Sequence, residues 1–344
     1  MAFASLVRRV RPAALRPARR MSTYKPDLHA VKQLRAESQA PLQDVRNALV
    51  ATHGDFRAAV EWLRLKGLAT AGQKAGRRTA EGLVGVHVSP DGRHAAMVEV
   101  NSETDFVARN ATFQALVTRV AAALTTADPT DVTADRSAVV TSDALSADQL
   151  AVVHVDGTTV AGHVPALVGV VGENVVAARA VRCRLTDGLI CSYVHNAAAP
   201  GLGRSAALVA LAFESRTASA DQLAQVHALG RRLAMHVVAT RPQFLSRAAV
   251  PAAVVASERA FLAAQVQDAG KPPHIAAKML DGRLAKFFTD VALLEQDHVV
   301  EEGGPKVGAF VADAADKLGL EVSVVAFERF EVGESRTEDE QRDV

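Results

Sequence analysis

The spacing of apolar residues predicts three short helices near the start of the chain. Each helix repeats apolar side chains every three or four residues, which places them on one face. These positions are Leu28, Val31 and Leu34; Leu42, Val45 and Leu49; and Phe56, Ala59, Val60 and Leu63. Ser38–Pro41 and His53–Asp55 interrupt the pattern, and Gly67 ends it. We therefore predict a three-helix unit at residues 27–67, an arrangement more typical of docking modules than of enzymes.

The remainder of the chain alternates between strand and helix patterns. Residues 68–81 are predicted to be a linker, because the small and basic residues there follow no apolar period. Strict alternation of apolar residues then predicts a β-hairpin with Pro90–Gly92 at its turn. The expected fold class is α+β, with a core of two αβ subdomains at residues 82–214 and 215–334, each a small antiparallel sheet with helices on one face. The charged tail at 335–344 is predicted to be disordered.

The first twenty residues differ in composition from the rest of the chain. They contain six arginines and no acidic residue, and Phe3 and Leu6 would lie on the apolar face of an amphipathic helix. Mitochondrial transit peptides have this composition, whereas a secretory signal needs an apolar run that Arg8 and Arg9 interrupt here. Residues 1–21 are therefore predicted to be a transit peptide, with the mitochondrial matrix as the destination.

The charge balance and the hydropathy pattern exclude two kinds of partner. Without the six arginines of residues 1–20, 33 basic residues face 38 acidic ones, a net charge of −5. A mildly acidic chain without clustered lysines and arginines is a poor match for nucleic acid phosphates. Beyond residue 20, no run of about 18 apolar residues is free of charges and turn residues. We expect neither direct nucleic acid binding nor a membrane span.

Motifs for cofactors and metals are absent from the sequence. There is no GxxxxGK[ST] phosphate loop, no HExxH zinc motif and no GxSxG nucleophile elbow. The 11 histidines are scattered without metal-ligand spacing, and the two cysteines, Cys183 and Cys191, form no CxxC pair. We predict no cofactor and no metal site, and we interpret the cysteines as buried thiols on neighbouring strands.

The segment VNSETDFVARN, residues 100–110, joins a predicted strand to a predicted helix. It places Phe106, a large apolar side chain, beside the acidic Asp105 at the tip of a loop. Composition alone favours a structural role, in which Asp105 caps the helix and Phe106 packs into the protein's own core. A site built on the carboxylates of Glu103 and Asp105 is a weaker alternative, because no histidine or lysine lies nearby in sequence.

The same segment, extended to VNSETDFVARNATFQAL at residues 100–116, resembles the signature of the elongation factor Ts family. Further stretches resemble the family in the same order along the chain. They are the N-terminal unit, GENVVAARA at 172–180, AMHVVATRPQFL at 234–245, GKPPHIAAKMLDGRLAKFF at 270–288 and FERFEVGE at 327–334. The resemblance covers residues 27–334, so we expect the family's fold, including a ubiquitin-associated-like N-terminal domain.

The resemblance implies the function of a guanine nucleotide exchange factor. Members of the family bind elongation factor Tu and promote GDP release without covalent chemistry, so we expect no enzyme activity and a mitochondrial elongation factor Tu as the partner. The matching partner-binding residues are Thr104, Asp105, Phe106 and Val107 in the signature, and Arg46, Arg204, Ala206 and His236 elsewhere. Phe106 is expected to wedge between side chains of the GTPase near its magnesium site, with His236 pressing from a second point.

Three departures from the family pattern affect these expectations. Ala206 stands where the family usually has glycine, so its methyl group would alter a close approach of the backbone. Arg46 and Asn47 replace two adjacent lysines, so we expect one basic contact to be lost. The family's bacterial members carry a coiled coil after the GKP segment, whereas fifteen residues separate Phe288 from Gly304 here. We therefore expect a reduced protrusion, as in mitochondrial members.

Two other functions fit part of the sequence. The three-helix unit would suit a binding module or scaffold, and tight binding to elongation factor Tu without GDP release would favour that alternative. A mitochondrial enzyme using Glu103, Asp105 or Cys191 is the second alternative, and loss of turnover in Glu103→Gln with partner binding intact would favour it. Neither accounts for a resemblance along residues 27–334.

Overall fold

A computed structural model describes residues 24–126, 140–268, 272–299 and 304–334. The predicted transit peptide and the predicted C-terminal tail lie outside the described residues. The chain divides into two compact units, one ending at Leu65 and one beginning at Lys66. Helices and antiparallel strands build the described residues, in agreement with the predicted α+β class.

Three helices enclose an apolar cluster in the first unit. They are α1 Leu28–Ser38, α2 Leu42–Ala51 and α3 Phe56–Lys74, of which α3 runs on into the second unit. Leu34 and Leu49 are fully buried in this cluster, whereas Leu28, predicted to share it, is 64% exposed. Asp55 caps the start of α3, because its carboxylate accepts the N–H of Ala58 at 2.9 Å. The likeness of this unit to a ubiquitin-associated domain stays a prediction.

The third helix corrects the predicted linker at residues 68–81. Instead of ending at Gly67, α3 continues to Lys74, and only the residues after it are non-helical. Ala71 packs against the core of the second unit, which stabilises the extra helical length. A Cβ atom at Gly67 would lie 2.9 Å from the carbonyl oxygen of Pro165, so this glycine permits close packing and does not mark a helix end.

The second unit contains two main antiparallel sheets with helices packed against them. Its strands are β1 Glu81–Val88, β2 His94–Ser102, β3 Val140–Leu145, β4 His154–Val155, β5 Thr158–Thr159, β6 Val175–Leu185, β7 Leu189–His195, β8 Leu202–Gly203, β9 Ser205–Ala212 and β10 Ser323–Glu331. Its helices are α4 Asp105–Ala108, α5 Ala111–Thr126, α6 Ala147–Ala151, α7 Val160–Val171, α8 Ala220–Thr240, α9 Ala252–Asp268, α10 Pro273–Val291 and α11 Val307–Leu318. The strand order is β3-β6-β2-β1-β8 in the first sheet and β10-β9-β7 in the second.

The first sheet packs against helix α5. Strands β1 and β2 form the predicted hairpin, with its turn at Pro90–Gly92. Phe113 and Leu124 of α5 are almost fully buried in an apolar cluster with residues of both strands. Val107 and Ala108 belong to the same cluster, so the core fixes the base of the loop that follows β2.

The second sheet joins strands from both predicted subdomains. Strand β9 pairs with β7 on one side and with β10 on the other. The expected division at residue 214 lies between β9 and β10, so strand pairing unites residues that the sequence had assigned to different subdomains. Helices α8 and α11 complete the core beside this sheet, where Leu211, Leu233 and Val307 are fully buried.

Helices α9 and α10 pack against each other and flank residues 269–271. They have 17 and 19 residues. Leu262 of α9 shares an apolar cluster with Leu284 and Phe288 of α10. These paired helices precede Phe288 almost entirely, and the reduced protrusion expected relative to bacterial members stays a prediction.

The two cysteines are buried, as predicted, but they lie on strands of different sheets. Cys183 belongs to β6 and Cys191 to β7, and neither forms a disulfide. Burial raises the pKa of each thiol to about 12, so both stay protonated at neutral pH. Protonated, buried thiols are poor nucleophiles, which argues against an enzyme that uses Cys191.

Candidate functional site

The loop after β2 presents one aromatic side chain to solvent. Phe106 is the second residue of α4 and is 76% exposed. The next two residues, Val107 and Ala108, are buried in the core beneath the first sheet. Successive side chains of a helix point in different directions, so burial of positions 107 and 108 turns position 106 outward. The structural role that composition favoured for Phe106, packing into the protein's own core, is therefore wrong.

Hydrogen bonds hold the C-terminal end of this loop. Asn110 caps α5 by accepting the N–H groups of Thr112 at 2.8 Å and Phe113 at 3.3 Å. The side-chain amide of Gln114 donates to the carbonyl oxygen of Ala108 at 3.1 Å. The end of α4 is thus tied to the first turn of α5.

At the N-terminal end of the loop, polar residues bond to the segment that joins α7 to β6. Thr104 donates to the carboxylate of Glu173, and Glu103 accepts the N–H of Asn174. The guanidinium of Arg77 lies 3.5 Å from the other oxygen of Glu103. Both Glu103 oxygens are therefore engaged, which argues against a catalytic carboxylate pair. Sequence reasoning missed Glu173 and Asn174, because their partners lie 69 and 71 positions away.

Asp105 lies beside Phe106 and remains partly exposed. Its carboxylate is 2.8 Å from the guanidinium of Arg109, one helical turn further along. The side chains of Asp105 and Arg109 are 46% and 73% exposed, so water screens this ion pair. The tip therefore presents an acid, a base and an aromatic ring together, which suits contact with another protein.

Arg204 lies at the end of the first sheet from which this loop emerges. Its guanidinium bonds to Glu81, and Glu81 is paired with Ser102 across strands β1 and β2. The Arg204 side chain is 49% exposed. The structure thus brings Arg204 to the same end of the sheet as the signature segment.

A groove of about 510 Å³ opens beside Arg204. Its walls include Tyr193 and His195 of β7, Met235 of α8, and Val299. The Tyr193 hydroxyl lies 3.2 Å from Nδ1 of His195. Aromatic residues, methionine and arginine are enriched where proteins bind each other, so the groove is a second candidate contact surface.

Ala206 has no exposed surface. It lies on β9, the central strand of the second sheet, between Val194 of β7 and Phe330 of β10. Residues 205–211 of this strand are all buried, because both edges of β9 are paired and both faces are covered. The expected direct contact of Ala206 with a partner is therefore corrected, since its methyl group belongs to the core.

His236 is also fully buried, on the face of α8 that packs against the segment after α10. Its Nδ1 accepts the N–H of Val299 at 3.3 Å, and its Nε2 lies 3.0 Å from Oε1 of Gln296. These partners define a neutral ring with the proton on Nε2. Burial lowers the pKa of His236, although the bond to Gln296 acts in the opposite direction. The expected direct contact of His236 with a partner is corrected, because packing leaves the ring no surface.

Arg46 belongs to the first unit and is exposed on α2. Its neighbour Asn47, which stands where the family often has lysine, accepts a hydrogen bond from Gln43 at 3.0 Å. Exposure of the guanidinium keeps Arg46 available for a docking contact of that unit.

Neither a metal centre nor a membrane helix is found in the described part of the chain. Among residues 24–126, 140–268, 272–299 and 304–334, no group of three or more His, Cys, Asp or Glu side chains is placed to hold a metal ion. Within these same ranges, no helix has both the length and the apolar character needed to cross a bilayer.

Comparison with known proteins identifies the family. The family model described as elongation factor TS matches residues 103–334. The elongation factor Ts of Rhodospirillum centenum is 41% identical over 305 residues, which cover 88% of this chain and 92% of the relative. The elongation factor Ts of Gluconobacter oxydans is 42% identical over 311 residues, which cover 90% of this chain and 93% of the relative. The chain belongs to the elongation factor Ts family.

Proposed function

We propose that this chain is a guanine nucleotide exchange factor, which binds elongation factor Tu carrying GDP and promotes release of the GDP. The observation that carries the proposal is the display of Phe106 on a firmly anchored loop, within a chain of the elongation factor Ts family. A fixed aromatic side chain is the kind of anchor that dominates binding energy at protein interfaces.

The proposed mechanism follows from the chemistry of nucleotide binding. A GTPase holds its nucleotide through Mg²⁺ and a phosphate-binding loop. Phe106 enters between side chains near the magnesium site and displaces them, while the charge of Asp105 perturbs the water shell of the metal. Contacts to the phosphates weaken, and GDP leaves. No covalent bond changes in this chain, so the mechanism requires neither a catalytic residue nor a cofactor.

Exchange requires that the GTPase couples the binding of its nucleotide to the binding of this protein. If this protein binds nucleotide-free elongation factor Tu more tightly than the GDP form, it weakens GDP binding. Nucleotide weakens the binding of this protein by the same ratio, because coupling free energies are reciprocal. Incoming GTP can therefore displace the exchange factor and complete the cycle.

The remaining candidate residues divide into surface contacts and supports. Arg204 and the groove beside it offer a second contact surface. Thr104 and Val107 support the tip, Thr104 through its hydrogen bond to Glu173 and Val107 through its burial in the core. His236 acts on the groove indirectly, because its ring accepts the N–H of Val299, whose exposed side chain lines the groove.

The first unit serves as a docking module in this proposal. Its helices form a separate compact unit, its sequence resembles a ubiquitin-associated domain, and Arg46 is exposed on α2. The same separation favours the second candidate function, a binding module that holds elongation factor Tu without changing GDP release.

The mitochondrial setting of the function rests on the composition of residues 1–21. The relatives compared are bacterial, so a separate experiment addresses this part of the proposal. A fluorescent protein fused after residue 26 is expected to accumulate in mitochondria, because acid-free, arginine-rich amphipathic segments act as transit peptides. The same fusion with Arg8→Glu and Arg9→Glu is expected to stay outside. A cytosolic location of the unchanged fusion would contradict the mitochondrial assignment.

Stopped-flow release of a fluorescent GDP analogue from mitochondrial elongation factor Tu tests the exchange function. We expect an acceleration that rises with the concentration of the chain beginning at residue 22. A tight complex with unchanged GDP release would favour the binding module. A folded chain that neither binds nor accelerates release would contradict both candidate functions.

A further inference from the structure

The segment between α7 and β6 forms hydrogen bonds to the loop that carries Phe106. The backbone N–H of Thr104 donates to Oε2 of Glu173 at 3.0 Å, and the Thr104 hydroxyl donates to Oε1 at 2.8 Å. The N–H of Asn174 donates to Oε1 of Glu103 at 2.6 Å. Two consecutive residues therefore hold the two residues that precede Asp105.

Helix α4 depends on these hydrogen bonds because it is too short to be stable alone. It has four residues, and isolated helices of about 12 residues or fewer are marginal in water. Thr104 is its N-cap, yet the Thr104 side chain makes no capping bond to the helix. Its hydroxyl is directed to Glu173 instead. The start of α4 is thus held by the carboxylate of Glu173, which lies outside the helix, and hydrogen bonds to a carboxylate are of the stronger kind.

The segment that contains Glu173, between α7 and β6, is itself fixed to the end of α3. The side-chain amide of Asn174 donates to the carbonyl oxygens of Arg77 at 2.9 Å and Ala75 at 3.3 Å. The ammonium group of Lys74 bonds to the carbonyl oxygen of Gly172. Glu173 therefore lies between two anchored neighbours, and its carboxylate has little freedom to follow a moving loop.

We infer that Glu173 is a positioning residue for nucleotide exchange. By fixing Thr104 it orients Asp105 and Phe106 before the GTPase arrives, so that insertion of the ring in the docked complex does not have to order the loop. Preorganisation of this kind removes an entropic cost that would otherwise reduce the gain from inserting the aromatic ring. In this role Glu173 acts through Thr104 and not by contact with the partner or the nucleotide. The inference rests on the proposed exchange function and names a part of its machinery.

The maximal rate of GDP release, measured at a saturating concentration of this protein, tests the role of Glu173. We expect Glu173→Ala to lower the maximal release rate about tenfold, the loss that follows from removing hydrogen bonds to a charged group. The concentration that gives half of the maximal rate should change much less, because the other contacts remain. Glu173→Gln, which keeps one acceptor oxygen, should recover part of the rate. Glu321→Ala, at an exposed glutamate, is the matched control and should behave as the wild type.

A double-mutant cycle separates positioning from general destabilisation. If Glu173 acts through Phe106, adding Glu173→Ala to Phe106→Ala should reduce the rate by less than about twofold further. Hydrogen exchange of residues 103–108 should accelerate in Glu173→Ala while the sheets keep their protection. Thr104→Val, which removes only the hydroxyl, provides the same test if Glu173→Ala fails to fold.

Three results would overturn the inference. One is a Glu173→Ala variant that releases GDP as fast as the wild type while Phe106→Ala is impaired. Another is a double variant in which the rate losses of Glu173→Ala and Phe106→Ala multiply. The third is a wild-type chain without any acceleration, which would contradict the exchange function as well, whereas the first two leave that function intact.

Discussion

At the scale of single residues, Phe106 is 76% exposed, whereas His236 and Ala206 have no exposed surface. The resemblance assigned all three to the partner interface, but burial allows only Phe106 to reach a partner directly. Ala206 fills the core of the second sheet, and His236 holds the backbone of Val299. We therefore propose that both residues support the surface from below, a role that a list of matching residues cannot distinguish from contact.

The buried imidazole of His236 predicts a stability that depends on pH. Burial lowers the pKa of His236 below the usual 6.5. The imidazole therefore takes up a proton near pH 6.5 in the unfolded chain, whereas in the folded chain it is still neutral at that pH. The unfolded state then binds more protons, and the free energy of unfolding falls as the pH drops below 6.5, by at most about 1.4 kcal/mol per pH unit for one group.

Urea unfolding between pH 7.5 and 5.5, followed by circular dichroism, checks this prediction. His236→Gln is the matched variant, because glutamine offers an acceptor for the Val299 N–H and a donor for Gln296 but does not titrate. We expect a shallower loss of stability in His236→Gln than in the wild type. Equal slopes for the two proteins would show that His236 does not carry the pH dependence.

At the scale of elements, local patterns predict most helices and strands but not their partners. Alternating valines and the turn at Pro90–Gly92 were sufficient for the β1–β2 hairpin. The end of α3 was missed because Gly67 looked like a helix stop, while its lack of a Cβ serves packing against Pro165. The bond from Thr104 to Glu173 could not be predicted, since it joins residues 69 positions apart through side chains.

Two glycines in helices, one closely packed and one not, test how far a missing Cβ serves packing. At Gly230 of α8, a Cβ atom would lie 2.6 Å from the Cβ of Cys191, so Gly230→Ala should destabilise the protein by about 1–3 kcal/mol through overpacking. At Gly282 of α10, no atom of the described residues lies within 4 Å of such a Cβ, apart from the neighbouring residues and the backbone of the same helix. Gly282→Ala should stabilise the helix by up to about 1 kcal/mol, because alanine has the higher helix propensity.

Thermal unfolding by circular dichroism measures both glycine variants. Opposite shifts of the midpoint, downward for Gly230→Ala and upward for Gly282→Ala, are expected. A stable Gly230→Ala protein would mean that α8 does not approach β7 as closely as the structure has it.

At the scale of the whole second unit, a buried ion network joins the two sheets. Glu99 of β2 has no exposed surface, and its carboxylate accepts from Nε of Arg179 and from the N–H of Gly333, both at 2.7 Å. Arg179 lies 3.5 Å from Glu334 as well. The C-terminal end of β10 is thereby fixed to the first sheet, so the Phe106 loop and the groove beside Arg204 belong to one framework.

The measurement that tests the central claim most directly is GDP release from elongation factor Tu with Phe106→Ala in place of the wild-type chain. Because Phe106 is exposed, its removal should leave the unfolding midpoint almost unchanged. We expect the maximal release rate to fall at least about tenfold, as for loss of an aromatic anchor. Val152→Ala, at a valine that is 67% exposed in another loop, should exchange as the wild type does. Equal rates for Phe106→Ala and the wild type would contradict the account.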